Sequence, residues 1–582
     1  MNTIIGELGK NSKFCDYIKN IEEKTSPITL LGLTDVGMVH LMSATNEFTK
    51  KPICIITYNE IQARKIIEDL KYFESNVIFL PKKEIVTYDY IAESKDLPYE
   101  RIEALNKIEE NKNIILVTTI EAVMQKMISK KALYKNVLKF QVGEETKLDD
   151  IKQKLIDLGY VRYDLIDGRG QFSIRGGIID ISITEKLGIR IELWGDEIDS
   201  IRYFNIISQR STENIQKITI YPSHEYILEK DIDSVIKNIR NKIVTDNNQE
   251  QIEQDIEIIK NGNYISKIDK YFNEFYEEQE TLLDYLKPNF IIAIDEINKV
   301  RQRLENVNKD SQNIIKLLLD KDKIVPEALN NILNLTQFEE KLEGKQIVYI
   351  EKLDEKERTQ SQIYKWNYKE KKFYKSEIEI FFKEIIKAQE EKKKIYILAE
   401  TKEKAKKICK LLDEQEIINK YEENLNQTII VKNNESLVTV TVGKLSTGFE
   451  NFDLNELVIP TQELIEGEKR KTYKSSAFKQ GEKVVFADLK IGDYVVHKNY
   501  GIGVFIGVNT ITADGTTKDY IKIKYYGDDI LYVPTNQLDS IRKYIGGDEG
   551  GLKVNKLGNK EWIKTKAKVK NNLREVAQEL IE

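Results

Sequence analysis

An apolar run, a glycine-bounded turn and a second apolar run constrain this chain before anything else does. Ile28-Thr29-Leu30-Leu31 enters a turn from Gly32 to Gly37, and a helical pattern follows through Leu41 to Phe48. Glycine, four residues, glycine between a strand and a helix is the frame of an ATPase phosphate-binding loop. A working loop carries Lys and then Ser or Thr after the second glycine, for the β/γ-phosphates and for Mg²⁺. Those places hold Met38 and Val39. Methionine donates no hydrogen bond and valine ligates no cation. A charge-assisted hydrogen bond contributes roughly 1.5–3 kcal/mol, so the missing lysine alone weakens nucleotide binding by about 10–100-fold. Asp35 adds negative charge where a polyphosphate would sit. The same spacing also suits an ordinary strand-to-helix turn, because glycine permits tight backbone. Gly32, Gly37, Met38 and Val39 are therefore read as a degenerate loop or a plain turn. No cofactor and no catalytic or metal-ligating residue is assigned to this chain.

The 582 residues are enough for several domains, each with its own core. Hydrophobic residues at 41% and charged residues at 32% suit a soluble chain. No apolar run reaches eighteen residues, and the start Met1-Asn2-Thr3-Ile4-Ile5-Gly6-Glu7 lacks a basic-then-apolar signal. The expected location is the cytoplasm, with no membrane partner. Cys15, Cys54 and Cys409 have no metal or disulfide spacing, and three histidines give a zinc site or a Ser-His-Asp triad little material. A net charge of −6 does not favour direct DNA binding by the chain as a whole.

Residues 27–125 alternate buried-strand runs with helical patterns, which predicts a parallel sheet. The strands are Ile53 to Thr57, Val77 to Leu80 and Ile114 to Thr119; Ile61 to Phe73 and Ile102 to Ile108 are helical. Another buried run, Phe290 to Ile294, is followed by Asp295-Glu296. An acid pair there has two readings: the Mg²⁺-coordinating, water-activating acid of an ATPase, or a cap for the next helix. Between about 128 and 220 glycine punctuates short strands, predicting an inserted α+β domain. Residues 345–465 read as a further α/β unit of open role, and 466–487 as a lysine-rich tether or a nucleic-acid contact. From 488 to 550, period-two alternation and tight turns predict a small SH3- or Tudor-like barrel, which typically binds partners through a groove or strand edge. Val569, Leu573, Val576 and Leu580 form a helical stripe behind a lysine-rich stretch. It is still running at Glu582, as in a chain continuing into further domains. The predicted class is multidomain α/β: 1–127 with 221–344, an inserted 128–220, then 345–465, the tether, the barrel, and a connector over 551–582.

Three segments carry a family resemblance. Gly170-Gln171-Phe172-Ser173-Ile174-Arg175-Gly176-Gly177-Ile178-Ile179-Asp180-Ile181, with Arg190 to Ile198, is similar to the domain through which UvrB binds UvrA. Gly492 to His497 and Leu531-Tyr532-Val533-Pro534 resemble the RNA-polymerase-interacting domain shared with CarD-type factors. Lys556-Leu557-Gly558 with Trp562 resembles a connector towards a motor. Together they resemble the N-terminal half of bacterial transcription-repair coupling factors. The resemblance implies a UvrB-like platform whose loop is degenerate. The segment Pro81 to Pro98, despite Tyr88 and Tyr90, lacks the long aromatic run of UvrB's DNA-gripping hairpin. It also implies an adaptor, not an enzyme, that binds the RNA polymerase β subunit and recruits UvrA. Arg175, Phe172, Arg169 and Arg162 are the candidate UvrA contacts; for Arg162 and Arg169 a solvated surface charge is the alternative. Ile521, Lys522 and Ile523 are the candidate polymerase contacts, as a strand edge. ATP, Mg²⁺ and double-stranded DNA belong to a translocase motor beyond residue 582. The competing readings are a self-contained ATPase using residues 32–37 with Asp295 and Glu296, and a DNA-binding scaffold.

Overall fold

A computed structural model describes residues 2–461 and 492–543, with 554 and 556. Within those spans it leaves out 75, 84–96, 111–112, 136, 185, 226–229, 242–245, 261–270, 320–331, 354–360, 374–376, 424, 426–436, 498–499, 514–515, 528 and 535–540. The expected tether, most of the Pro81–Pro98 segment and nearly all of the expected connector lie outside the described residues. The chain divides into two units, residues 1–467 and 468–582.

The first unit is built on a seven-stranded sheet. Its order is Gln362–Lys365, Ile28–Leu31, Gln346–Glu351, Ile291–Asp295, Ile53–Thr57, Ile115–Thr119 and Val77–Leu80. Every neighbouring pair is parallel. A parallel sheet is covered on both faces, which explains strands that are apolar at successive positions. Ile53 and Ile55 face one core with Ile115, Val117 and Ile291. Cys54 and Ile56 face the other with Leu116, Ile292 and Ile294. Helices Asp35–Thr49 and Glu60–Phe73 cover the first face; Leu97–Glu109 covers the second.

Two expected boundaries move. Gln346–Glu351, read as the opening of a separate 345–465 unit, lies inside the first sheet between Ile28–Leu31 and Ile291–Asp295. Its apolar run marks it as buried but does not name its neighbours. Gln362–Lys365 joins the same sheet at its edge, beside Ile28–Leu31, and the remaining strands of that unit form a mixed six-stranded sheet from Tyr368–Lys371 to Asn419–Glu422. It is not independent, since Tyr396, Leu398, Phe449 and Val458 pack in the same core as Leu30, Val36 and Leu41. The inserted domain begins at Leu138 rather than 128, because Met127, Ile128 and Leu133 belong to the first sheet's core.

The inserted domain is a six-stranded sheet ordered Ser211–Ile215, Glu197–Asn205, Leu187–Trp194, Ile178–Ser182, Gln171–Arg175 and Val161–Arg162. In the second unit, five antiparallel strands run in the order Ile530–Pro534, Thr516–Lys524, Gly501–Ala513, Tyr494–His497 and Ile541–Lys543. No pairing among the described residues closes this sheet into the expected barrel. No helix among the described residues is long and apolar enough to cross a membrane.

Candidate functional site

The glycine-bounded turn is closed by the chain itself. Gly32 has φ 77°, and a Cβ there would lie 2.3 Å from the Trp366 carbonyl oxygen. A Cβ on Gly37 would lie 2.7 Å from the Tyr368 ring. Both glycines thus admit the 366–368 segment against the turn. Thr34 caps the helix, its Oγ1 accepting from the Gly37 amide at 3.1 Å. Met38 and Val39 are buried in the core. The Asp35 carboxylate takes Lys65 at 2.7 Å and Lys352 at 2.6 Å. Burial alone would raise its pKa, but the bonds from Lys352 and Lys65 prevail and hold it below the usual range.

Asp295 ends a strand separated from Ile28–Leu31 by Gln346–Glu351. It is buried and accepts from Thr57 Oγ1 at 2.9 Å. Burial pushes its pKa up to about 6, with the charges of Asp35 and Glu296 adding to the shift. Glu296 accepts from the Lys352 amide at 2.7 Å and pairs with Lys299 at 3.3 Å. Each acid therefore already holds a protein partner.

In the inserted domain the period-two alternation creates two unlike faces. Phe172, Ile179, Ile181, Ile189, Ile191 and Ile198 pack towards the helix Leu148–Asp157. The other face carries a cross-strand row, Ser173 opposite Asp180, Asp180 opposite Arg190, and Arg190 opposite Arg202. Fully buried Asp180 receives Arg190 through two bonds at 2.7 and 2.9 Å, and Arg175 through one at 2.6 Å. The paired carboxylate raises the Arg190 pKa. Arg190 also lies 4.7 Å over the Phe204 ring, and Arg202 pairs with Glu192. This network orients guanidinium groups that would otherwise be mobile.

The four arginine and phenylalanine candidates do not share a surface. Arg175 is anchored to Asp180 yet its side chain is 47% exposed. Arg162 is exposed on the last strand of the sheet, beside exposed Val161, Tyr163 and Leu165. Phe172 is fully buried and is corrected to a core residue, because alternation turns it towards Ile181 and away from solvent. Arg169 sits 4.0 Å from Glu103 on the helix Leu97–Glu109, at the root of the domain. Arg190 and Arg202 were not singled out from the sequence. The alternation Ile189-Arg190-Ile191-Glu192 carried that signal.

The strand-edge reading of Ile521 to Ile523 is overturned. Thr516–Lys524 pairs on both sides, Ile521 with Val508 and Val533, and Ile523 with Phe505 and Leu531. Ile521 and Ile523 are fully buried with Val495, Phe505 and Tyr525. Lys522 alone of the three points out, its ammonium 5.6 Å from the ring of its cross-strand partner Tyr532. Ile530–Pro534 has one strand partner among the described residues, and it exposes Ile530 and Tyr532.

Comparison with known proteins matches both regions. Residues 138–226 match the family model of the UvrB interaction domain, and residues 489–545 that of the CarD-like/TRCF RID domain. The chain is 29% identical over 602 residues to the transcription-repair-coupling factor of Bacillus subtilis (strain 168), spanning all of this chain and 50% of that protein. It is 29% identical over 572 residues to the factor of the same name from Staphylococcus aureus (strain MRSA252), spanning 95% of this chain and 48% of that one. The chain spans about half the length of the curated relatives it matches.

Proposed function

We propose, from a likeness to transcription-repair-coupling factors that runs the length of the chain, that it is the non-motor adaptor part of such a factor. One observation carries this reading: a UvrB-interaction-like domain and a CarD-like domain stand on one chain, at residues 138–226 and 489–545. The first would recruit UvrA and the second would hold RNA polymerase through its β subunit. ATP, Mg²⁺ and duplex DNA would be handled by a motor in the remaining half, which would displace a stalled polymerase while the adaptor delivers repair proteins.

For UvrA, the polar face around Asp180 offers the best-built surface. Arg175 presents a guanidinium already oriented by a buried carboxylate, so less side-chain freedom is lost on docking. Arg175→Ala leaves Asp180 with two bonds from Arg190, so the domain keeps its fold. UvrA capture is expected to fall about tenfold, in the range of a charged hydrogen bond, with polymerase binding intact. Equal loss of both activities in pull-downs would instead indicate misfolding.

For the polymerase, the strand Ile530–Pro534 replaces the interior strand as the docking edge. Strand addition draws affinity from main-chain hydrogen bonds and specificity from alternate side chains. Ile530 and Tyr532 alternate there, and Lys522 lies beside Tyr532. Ile530→Asp and Tyr532→Asp are expected to abolish β-subunit pull-down while the circular dichroism spectrum is unchanged. Full capture by both variants would remove this edge from consideration.

The turn at Gly32–Gly37 is expected to bind no nucleotide, because residues 366–368 crowd its backbone and Asp35 already holds the nearby lysines. Calorimetry of the chain with ATP and Mg²⁺ checks this, and micromolar affinity would favour the self-contained ATPase.

A further inference from the structure

Four neighbouring parallel strands of the first sheet, Ile28–Leu31, Gln346–Glu351, Ile291–Asp295 and Ile53–Thr57, all begin at one end of it. The glycine-bounded turn follows Leu31, at the opposite end. The segments leading into these strands, Ser26-Pro27, Lys345, Pro288-Asn289 and Lys51, line a single cleft of about 800 Å³. Its walls are tied together by the chain itself. Ser26 Oγ donates to the Lys345 carbonyl at 2.9 Å and accepts from the Ile347 amide at 3.0 Å. The Gln346 side-chain amide donates to the Thr25 carbonyl. A preformed cleft of this size is a common setting for a small ligand.

The charges along the cleft are unequal. Lys24, Lys51, Lys345 and Arg301 line it, against Glu339 and Glu343. Arg301 and Glu339 pair with each other at 2.9 Å. Lys51 and Lys345 are half-buried, yet among the described residues each ammonium bonds only a backbone carbonyl. These are Ile21 for Lys51, at 3.0 Å, and Leu283 for Lys345, at 2.9 Å. Burial holds both lysines below their usual pKa range; Glu22 and Asp284 oppose the shift, while Lys24 and Lys341 add to it. Half-buried ammonium groups facing like charges are stabilised by a nearby anion. With Arg301 taken by Glu339, the remaining cations are compact ammonium groups, which hold phosphate as point charges. A planar carboxylate is better matched by a guanidinium fork. Pro27, Leu342 and Ile347 add apolar surface to the lining.

We propose that this cleft binds a small organic phosphate, its phosphate held by Lys24, Lys51 and Lys345 and its carbon frame laid against Pro27 and Ile347. The site needs no Mg²⁺, because the ammonium groups themselves offset the phosphate charge. It is separate from the glycine-bounded turn, and it does not depend on which partners the two matched domains bind.

Calorimetry of the full chain without Mg²⁺, with adenosine monophosphate and inorganic phosphate as probes, tests it. Adenosine monophosphate is expected to bind at submillimolar concentration. Inorganic phosphate is expected to bind about tenfold more weakly, because it leaves the apolar surface uncovered. Lys24→Gln and Lys345→Gln should each weaken adenosine monophosphate binding about tenfold, in the range of one charge-assisted hydrogen bond. Lys24 is exposed, so its variant is expected to melt at the parent temperature. Lys65→Gln, beside the glycine-bounded turn, should bind the probe as the parent does. No binding by the parent, equal affinity for the two probes, or parent-like binding by both cleft variants would overturn the proposal. So would loss of binding in Lys65→Gln alone, which would place the phosphate at the turn.

Discussion

Ile523→Arg is expected to unfold the five-stranded module rather than to free it from a partner. Ile523 is fully buried against Phe505, Tyr525 and Val533, on a strand flanked on both sides. A guanidinium placed there loses the burial of the isoleucine and brings an unpaired charge into an apolar interior. Together these cost about 3–5 kcal/mol, a large part of what a small domain possesses. Ile521→Arg should behave alike. Lys522→Ala, between them in sequence, should leave the fold unchanged because its side chain lies on the opposite face. Circular dichroism melts of residues 487–550 check the contrast. A cooperative melt of Ile523→Arg near the parent temperature would contradict the buried placement.

The second large effect concerns Glu456, in the sheet that shares a core with the first domain. Its side chain is fully buried, and neither carboxylate oxygen has a hydrogen-bond partner among the described residues. Burial pushes its pKa up to about 8; Lys394 opposes the shift and Glu7 adds to it. The unfolded chain gives up this proton near its ordinary value of 4.5, whereas the folded one keeps it to about 8. The contribution of this group to stability is therefore complete below about pH 4.5 and is lost as pH rises to 8. At pH 7 the loss is on the order of 3 kcal/mol. Glu456→Gln keeps the shape and cannot ionise. It should match the parent at pH 4.5 and exceed it increasingly towards pH 8 in urea denaturation. A difference that stays flat across that range would show that Glu456 is not protonated in the folded chain.

Much of the fold was legible because local periodicity reports which sides of an element are apolar. Continuous runs such as Ile53 to Thr57 predicted strands buried on both faces, and they lie in a parallel sheet. The helices expected at Ile61–Phe73 and Ile102–Ile108 are found at Glu60–Phe73 and Leu97–Glu109. The candidate sites were less legible. Phe172 and Arg175 are three residues apart on one strand, yet one fills the core while the other stands on the polar face. Arg169 carried the alternative of a solvated surface charge and Arg175 did not; what the sequence could not supply is the partner of each, Glu103 on a distant helix for Arg169 and Asp180 for Arg175.

The sequence by itself determined that this chain has a glycine-bounded turn without a phosphate-binding lysine, a strand-rich insertion, and an alternating β module further on. Those properties rest on residue type and spacing, which are local. Only the tertiary structure decided that Gln346–Glu351 slots into the first sheet, that Thr516–Lys524 is interior, and that Trp366 and Tyr368 crowd the turn. Lateral strand order depends on contacts between segments far apart in the chain. A buried isoleucine carries the same signal whether its strand lies at an edge or in the middle.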